Sequence, residues 1–516
     1  MSGETAPVLV VGGGLVGLSA ALFLAARGVR PLLVERRPAS SPHPRAIGYT
    51  ARTVELLRSV GLESAIPTGG ASTAVRRARV ESLAGTWFEE QPWSPPSAAP
   101  EVEHSPCGPA GIAQDRLEPL LRDRAVALGA DVRLSTELVS FEQDDAGVSA
   151  VLRAADGGEY EVRAEHLVAA DGHRSPVREA LGVHRTGRGH LATVRSVLFR
   201  APLEEYLRGG VGQFAIDQPG LSAFLTTYGD GRWVLMFEDD VDRDEKTLRD
   251  LVARAIGRSD VAVELITTGR WELAAAVADT YSVGRAHLAG DAAHTLPPNR
   301  GGYGANVGIE DAHNLAWKLA AVLAGESTPG LLDTYDAERR PVAELCHRQL
   351  FARPERYNPE PTRDVPLIDD RAMVFGQLYR SAAVLDAGPD LPPALRPEQW
   401  AGQPGTRAPH LWLSRDGARP STLDLFGRGW VLLSDNDDWA DAAKAASPAL
   451  DHRRVDVDGF RTAFGLHDGG ATLVRPDGYI AWRSPDLPAD PANALTSALR
   501  QVSFATARPS VSLPGR

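Results

Sequence analysis

The sequence predicts an α/β fold that consists of a Rossmann-like domain, a mainly β domain and a C-terminal α/β domain. Residues 7–35 read as strand, glycine turn, helix and strand, which is the opening of a dinucleotide-binding βαβ unit. Residues 186–280 show the alternating pattern of short strands, and residues 400–516 carry strand–helix–strand signals of their own. At 516 residues the chain is long enough for about three domains and for the burial of a large cofactor.

The first domain is predicted to combine residues 1–185 with residues 281–395. Its strands share apolar runs that end at glycine or acidic residues, and they are predicted at 7–11, 31–34, 132–170 (several strands, with a turn at 156–158) and 286–289. Its helices share amphipathic spacing, and they are predicted at 15–27, 52–60, 115–129, about 308–325 and 333–351. Asp115, followed three residues later by Glu118, is the predicted N-cap of the helix at 115–129.

The β domain, residues 186–280, is predicted to contain a hairpin and one helix. The hairpin joins 223–228 to 233–238, and the helix lies near 245–256. A Pro-rich stretch at 389–409 is predicted to be a linker to the C-terminal domain.

Charge and composition argue against several classes of protein. The net charge of -12 lacks the basic excess of nucleic-acid-binding proteins, and no apolar stretch is long enough to span a bilayer. The polar start and the early glycines are unlike a secretory signal peptide. Because there are only two cysteines, far apart in sequence, we expect a reducing, cytoplasmic environment.

The first motif that carries chemistry is the glycine turn of the opening βαβ unit. It reads Gly12-Gly13-Gly14-Leu15-Val16-Gly17 and fits the G-x-G-x-x-G pattern, in which backbone N–H groups at a helix N-terminus bind a pyrophosphate. Glu35 ends the next strand, where a carboxylate can accept hydrogen bonds from ribose hydroxyls, and Arg36 is beside it. The negative charge of Glu35 disfavours a 2′-phosphate, so this motif fits FAD or NAD and does not choose between them.

Two later motifs point to one of these cofactors. They read Ala170-Asp171-Gly172-His173-Arg174-Ser175-Pro176-Val177-Arg178 and Gly290-Asp291-Ala292-Ala293-His294. Together with the glycine turn they resemble the fingerprints of the para-hydroxybenzoate-hydroxylase-like FAD monooxygenases, known as group A. The resemblance implies that the first domain is FAD-binding, that the β domain binds substrate and that the C-terminal domain is thioredoxin-like.

The resemblance also assigns residues to the flavin. Asp291 is expected to accept from a ribityl hydroxyl, and the loop that follows is expected to surround the ring edge with Pro298, Gly304, Ala305 and Asn306. The loop departs from the family pattern because Asn299-Arg300 precedes Gly301 where a single residue is expected. Two further positions match by context, namely Arg45 in Pro44-Arg45-Ala46 and Gln114.

The reaction implied by the resemblance is aromatic hydroxylation. NADPH or NADH binds transiently and reduces FAD, since no second G-x-G-x-x-G offers a resident nicotinamide site. O2 then gives a flavin C4a-hydroperoxide, whose distal oxygen attacks an electron-rich ring. The candidate catalytic residues are Arg45, Pro298 and Tyr228, with His294 as a further acid–base candidate.

The expected substrate is a small aromatic molecule. Length and domain content resemble the hydroxylases of aromatic polyketides in antibiotic biosynthesis, and also the phenol and phenylpropionate hydroxylases. Baeyer–Villiger insertion, a flavin reductase or dehydrogenase that avoids O2, and a non-oxygenating flavin-binding protein remain open alternatives. The C-terminal domain has no cysteine, so a structural or dimer-contact role is expected there, and the protein is expected to be a monomer or homodimer.

Overall fold

A computed structural model of the chain describes residues 4–67, 76–92, 102–298, 302–353, 361–414 and 420–506. Up to residue 180, short strands alternate with four helices. In chain order these elements are β1 (Glu4–Val11), α1 (Leu15–Ala25), β2 (Leu32–Glu35), β3 (Gly48–Tyr49), α2 (Ala51–Ser59), β4 (Arg76–Val80), β5 (Trp87–Pro92), β6 (Ala110–Gly111), α3 (Gln114–Ala127), β7 (Asp131–Leu134), β8 (Glu137–Asp144), β9 (Gly147–Arg153), β10 (Glu159–Ala169) and α4 (Pro176–Ala180).

The middle of the chain is mainly β, and the last part is mainly helical before a small sheet. The middle elements are β11 (Arg185–Arg200), β12 (Val211–Gln218), β13 (Leu221–Thr227), β14 (Arg232–Phe237), α5 (Glu245–Ile256), β15 (Glu264–Ala278), β16 (Ser282–Val283), β17 (Ala286–Leu288) and β18 (His294–Thr295). The last elements are α6 (Tyr303–Leu323), α7 (Gly330–Phe351), α8 (Asp370–Phe375), α9 (Pro397–Trp400), β19 (Val431–Ser434), α10 (Asp438–Ala446), β20 (Asp451–Arg454), α11 (Phe460–Phe464), β21 (Ala471–Val474), β22 (Ile480–Ser484) and α12 (Pro491–Val502).

The first sheet has the parallel core that the βαβ pattern predicts. Its order is β16-β17-β10-β1-β2-β7, with β8 and β9 added beside β10. Strands β17, β10, β1, β2 and β7 are parallel, and β1 is buried from Val8 to Val11 because helices cover both faces of such a sheet. Helix α1 packs against α6 and α3.

The second sheet forms the β domain and draws strands from outside 186–280. Its order is β18-β15-β11-β14-β13-β12-β4-β5, so β4 and β5 from residues 76–92 extend one end. The predicted hairpin is confirmed as β13 and β14. The predicted helix is confirmed as α5, which begins after the cap Asp244 and ends at Gly257 in the left-handed conformation. Helix α5 covers one face of this sheet, where Phe214 and Trp233 are fully buried.

The C-terminal domain has a four-stranded sheet in the order β20-β19-β21-β22. Helices α10 and α12 pack on it through Trp439 and Leu495, in agreement with the α/β pattern predicted for this part. The stretch 389–409 is more than a linker, because it contains α9 and buries Trp400, and Arg407 forms a buried ion pair with Glu55 of α2.

Two predicted helix starts are wrong. Helix α3 begins at Gln114 with Ala113 as its cap, and the carboxylate of Asp115 instead pairs with the buried guanidinium of Arg232 at 2.7 Å. Helix α6 begins at Tyr303 rather than near Gly308, because close packing compensates for the poor helix propensity of its glycines. Within the described residues, none of the helices has the length and apolar character needed to cross a membrane.

Candidate cofactor and substrate site

Four residues from the three motifs meet at one edge of the first sheet. Gly12 follows β1, Glu35 ends β2, Asp171 follows β10, and Asp291 follows β17. These four strands are parallel neighbours, so their carboxyl ends lie side by side. In open α/β sheets this edge is where ligands bind. The structure therefore brings the three sequence motifs together.

The glycine turn is too tight for any side chain. Gly12 has a φ of 106°, and a Cβ placed on it would lie 2.3 Å from the carbonyl oxygen of Ala170. A Cβ on Gly17 would lie 1.8 Å from the carbonyl oxygen of Gly12. Gly14 is the N-cap of α1, and the first turn of this helix has no side-chain cap and no acidic residue. Its N–H groups are thus left for an external acceptor.

Leu15 and Val16, the two residues between Gly14 and Gly17, have different surroundings. Leu15 is buried in the core, whereas Val16 packs on the third motif. A Cβ on Gly290 or on Gly308 would lie 2.6 Å from Cγ2 of Val16. These glycines therefore let α6 and the Gly290 turn approach α1 closely.

Glu35 is fixed by backbone groups at the end of β2. Its Oε2 accepts from the N–H of Gly13 at 2.6 Å, and its Oε1 accepts from the N–H of Arg37 at 2.9 Å. The carboxylate is thereby held beside the glycine turn, where a ribose would adjoin the pyrophosphate. Arg36 is exposed.

Asp171 has an unused acceptor. Its Oδ2 accepts from the N–H of Val177 at 3.0 Å, while its Oδ1 is buried without a hydrogen-bond partner among the described residues. Burial raises the pKa of this carboxyl above its usual value.

The start of α6 supplies a second helix N-terminus to the site. Gly302 caps it in the left-handed conformation, with no side-chain cap, so the N–H groups of Gly304 and Ala305 belong to the unpaired first turn. Asn306 is buried, and its Oδ1 accepts from the N–H of Thr50 at 2.9 Å. The Asn306 side chain is therefore engaged within the protein rather than free for a ligand. Pro298 is exposed, and the unusual residues 299–301 lie outside the described residues.

Arg45 and Asp291 face each other across the site. Their side chains are about half exposed, and Nη1 lies 4.0 Å from Oδ2. Residues 43–46 are called the Arg45 segment. Gln114 holds this segment, because its Oε1 accepts from the N–H groups of Arg45 and Ala46, each at 3.2 Å. Tyr228 lies beside the same segment, where its hydroxyl donates to the carbonyl of Pro44 at 2.7 Å. Burial raises the pKa of Tyr228, which keeps it a neutral donor.

His294 is not open to the site. The side chain is fully buried, and its Nε2 lies 2.8 Å from Oδ2 of Asp311. Asp311 also accepts from Arg339, so the imidazole belongs to a buried ionic cluster behind the strand ends. This position makes His294 a poor candidate for acid–base chemistry on a substrate.

The face of the second sheet that α5 leaves uncovered completes the site. The paired residues Ala215, Phe224 and Met236 are half-buried on this face and continue to Ser196 on β11. Met236 and Ile47 pack against one small apolar cluster that contains Ala113, the neighbour of Gln114 in the chain.

Sequence reasoning missed the histidine in the Arg45 segment. His43 lies between two prolines, and its Nε2 is 2.9 Å from Oγ of Ser196. The available signal was the position of His43 between two prolines, two residues before the candidate Arg45.

The described residues fit an adenine dinucleotide. Gly12 and Gly17 let the turn close tightly on the carbonyl oxygens of Ala170 and Gly12, and at Gly14 a Cβ would meet only Oε1 of Glu118, at 3.9 Å, so the helix N-terminus is open to phosphates. Two uncapped helix N-termini and the orphaned oxygen of Asp171 provide donors and an acceptor.

Comparison with known proteins gives two family matches that together span most of the chain. Residues 5–349 match the FAD-binding domain family, and residues 401–505 match the C-terminal domain family of aromatic-ring hydroxylases. A 4-methyl-5-nitrocatechol 5-monooxygenase from a Burkholderia species is 44% identical, over 96% of this chain and 97% of that protein. The tetracenomycin A2 monooxygenase-dioxygenase of Streptomyces glaucescens is 40% identical, over 97% of each chain. The crystal structure of aklavinone-11 hydroxylase with FAD and aklavinone superposes with a TM-score of 0.87 at 37% identity, over 98% of this chain and 100% of the other.

Proposed function

Because the chain belongs to the FAD-dependent aromatic-ring hydroxylases, we propose that it uses NADPH or NADH and O2 to hydroxylate a polycyclic aromatic substrate of the polyketide type. One oxygen atom of O2 enters the ring as a hydroxyl group and the other leaves as water. The nicotinamide supplies the two electrons, and a proton from solvent completes the balance.

The three motifs supply the groups that would hold FAD. The N–H groups at Gly14 and Leu15 would donate to the pyrophosphate, Glu35 would accept from the adenosine ribose, and Asp291 would accept from a ribityl hydroxyl. The N–H groups of Gly304 and Ala305, in the first turn of α6, would stabilise negative charge on the edge of the flavin ring. When bound, FAD supplies hydride acceptance and oxygen activation, and the protein supplies orientation and exclusion of water.

The observation that carries the substrate class is the width of the uncovered sheet face. The row Ala215, Phe224 and Met236 crosses three adjacent strands, β12, β13 and β14, and beside it Ser196 of β11 is buried under His43. At about 4.8 Å between strands the row is roughly 10 Å long, and a fused multi-ring molecule would cover it more fully than a single ring. Phe224 and Met236 offer half-buried apolar surface for such a molecule.

A single-ring nitrophenolic substrate is the second candidate. The observation that favours it is the 44% identity to the nitrocatechol monooxygenase, which exceeds the identity to the tetracenomycin enzyme. On the same sheet face, a single ring would contact fewer of the three strands that carry Ala215, Phe224 and Met236.

The deciding experiment is turnover with both substrate classes. The purified protein with its bound FAD is given NADPH or NADH and 18O2, and either a tetracyclic polyketide phenol or a nitrocatechol. We expect product that has gained one 18O atom, in proportion to the nicotinamide oxidised, with the polycyclic substrate. Product with no 18O would refute the monooxygenase proposal. Turnover of the nitrocatechol but not of the polycyclic phenol would show that the substrate is a single-ring nitrophenol. An NMR spectrum of the product separates ring hydroxylation from Baeyer–Villiger insertion, in which oxygen enters a C–C bond.

We extend the proposal to location and assembly. Cys107 and Cys346 form no disulfide, which supports a cytoplasmic location, and a monomer or homodimer is proposed, to be checked by light scattering.

A further inference from the structure

His43 is the center of a buried contact between the Arg45 segment and the β domain. Its side chain is 7% exposed, and its Nε2 lies 2.9 Å from Oγ of Ser196 on β11. The ring also meets Trp271 of β15 edge-on, with centroids 5.3 Å apart. Nδ1 is buried without a hydrogen-bond partner among the described residues. Ser196 is therefore the polar contact that fixes the orientation of this ring.

A glycine makes this contact possible. Gly269 on β15 lies opposite Ser196 in the sheet register. A Cβ on Gly269 would lie 2.8 Å from Oγ of Ser196, 2.8 Å from Nε1 of Trp271 and 2.9 Å from Cδ2 of His43. An alanine there would force these side chains apart, although the substitution itself removes no polar group.

The residues that follow His43 are anchored one after another. The carbonyl of Pro44 accepts from Tyr228, and the N–H groups of Arg45 and Ala46 donate to Gln114. The β domain thus holds the segment through Ser196 and Tyr228, while α3 holds it through Gln114. Arg45 comes two residues after His43, so its place beside Asp291 depends on these anchors.

We propose that His43 is a positioning residue, whose hydrogen bond to Ser196 sets the place of Arg45 relative to Asp291. The effect of His43 on catalysis rests on the proposed function, whereas its effect on the position of Arg45 does not. The restraint on the cation at the cofactor side is thereby assigned to β11, the strand beside the substrate face. Tyr228 likewise positions the Arg45 segment, through its hydrogen bond to the Pro44 carbonyl, and has no role in proton transfer.

Amide hydrogen exchange of the full-length protein tests this inference without turnover. The variants are His43→Phe, Ser196→Ala and Gly269→Ala. Each is expected to speed exchange at Arg45 and Ala46 by roughly five- to tenfold, as the loss of one hydrogen bond predicts. The double variant His43→Phe/Ser196→Ala is expected to match the single variants, because both remove the same contact.

A matched control exists in the C-terminal domain. His452 and Ser434 are joined by the same pair of atoms at the same 2.9 Å distance, far from the site in the fold. Ser434→Ala is expected to leave exchange at Arg45 and Ala46 unchanged. Unchanged exchange at Arg45 and Ala46 in folded His43→Phe and Ser196→Ala, or additive effects in the double variant, would overturn the inference.

Turnover then separates this inference from the proposed function. If the parent protein incorporates 18O, the three variants are expected to lower the fraction of NADPH oxidation that yields product by on the order of tenfold, with little change in KM for the aromatic substrate. If the parent protein incorporates none, the proposed function fails while the exchange result still decides the role of His43.

Discussion

Arg475 of the C-terminal domain and Glu338 of α7 form a bidentate ion pair that is completely buried, with Nη–Oε distances of 2.5 and 2.8 Å. Lys318 donates to the same carboxylate, and burial lowers the pKa of its ammonium group to about 8. Asp477, from the turn after β21, accepts from Arg475 as well. The C-terminal domain is therefore joined to the first domain by buried charges that satisfy one another.

Removing one partner of this pair is expected to be costly. Arg475→Met leaves the buried carboxylates of Glu338 and Asp477 short of a counter-charge, which is expected to cost about 4 kcal/mol of unfolding free energy. The measurement is urea unfolding followed by circular dichroism. The control is Arg454→Met, which breaks the exposed pair with Asp437 and is expected to cost less than about 1 kcal/mol. Equal losses in the two variants would mean that the buried pair is not a link between the domains.

The turn at Gly17 is expected to tolerate no methyl group. In Gly17→Ala the new Cβ would lie 1.8 Å from the carbonyl oxygen of Gly12, and neither backbone can yield without opening the turn. We expect the ratio of flavin to protein absorbance after purification to fall at least about tenfold, since the cradle for the phosphates is lost. Gly108→Ala is the control, because a Cβ at Gly108 would meet nothing within 4 Å. A yellow, fully loaded Gly17→Ala protein would contradict this account of the turn.

Helix propensity alone predicts the wrong sign for the change in stability caused by Gly308→Ala. In an isolated helix Gly→Ala stabilises by about 1 kcal/mol, but in α6 the added methyl would lie 2.6 Å from Val16 Cγ2 and 3.0 Å from Gly290 Cα. We expect Gly308→Ala to lose about 1–3 kcal/mol of unfolding free energy, as overpacked cores do. Shortening the neighbour in the double variant Gly308→Ala/Val16→Ala is expected to restore part of that loss. A more stable single variant would show that propensity dominates here.

Acid is expected to destabilise the first sheet through a histidine pair. His166 and His287 are buried 3.2 Å apart on β10 and β17, and burial lowers their pKa values to about 4 and about 3. The unfolded chain takes up protons near pH 6.5, so the stability contributed by neutral histidines is present above pH 6.5 and is lost as pH falls towards 4. The slope approaches about 1.4 kcal/mol per pH unit for each histidine.

Urea unfolding at pH 7.5, 6.0 and 5.0 measures this loss. His287→Gln removes one buried imidazole and is expected to flatten the dependence on pH, although it lowers stability at pH 7.5. His467→Gln changes an exposed histidine and serves as the control. If the unfolding free energy changed with pH at the same slope in the parent and in both variants, the histidine pair would be excluded as the cause of the pH dependence.

The sequence predicted those parts of the fold that depend on neighbours in the chain. Helix α5 could be placed because its cap Asp244 and its stop Gly257 are local signals. The strand ends of the site could be brought together because carboxyl ends of parallel strands share an edge. Asp115 was misassigned because its partner Arg232 is 117 residues away, and the pairing of Glu338 with Arg475 spans 137 residues. Such contacts depend on the completed fold and leave no periodic trace in the sequence.

Arg45 is expected to matter for activity and not for stability. Its guanidinium is 4.0 Å from Asp291 and half exposed, and ion pairs of this kind contribute less than about 1 kcal/mol. A cation near the cofactor in a partly closed site can nevertheless change a rate by on the order of a hundredfold. Arg45→Met should therefore unfold at the same urea concentration as the parent while its bound flavin is reduced far more slowly by NADPH. Arg153→Met, which breaks a surface pair of similar exposure with Glu159, should change neither quantity. Slow reduction together with a large loss of stability would instead show that Arg45 stabilises the fold. In that case His43 would position a structural residue and not one that acts in flavin reduction.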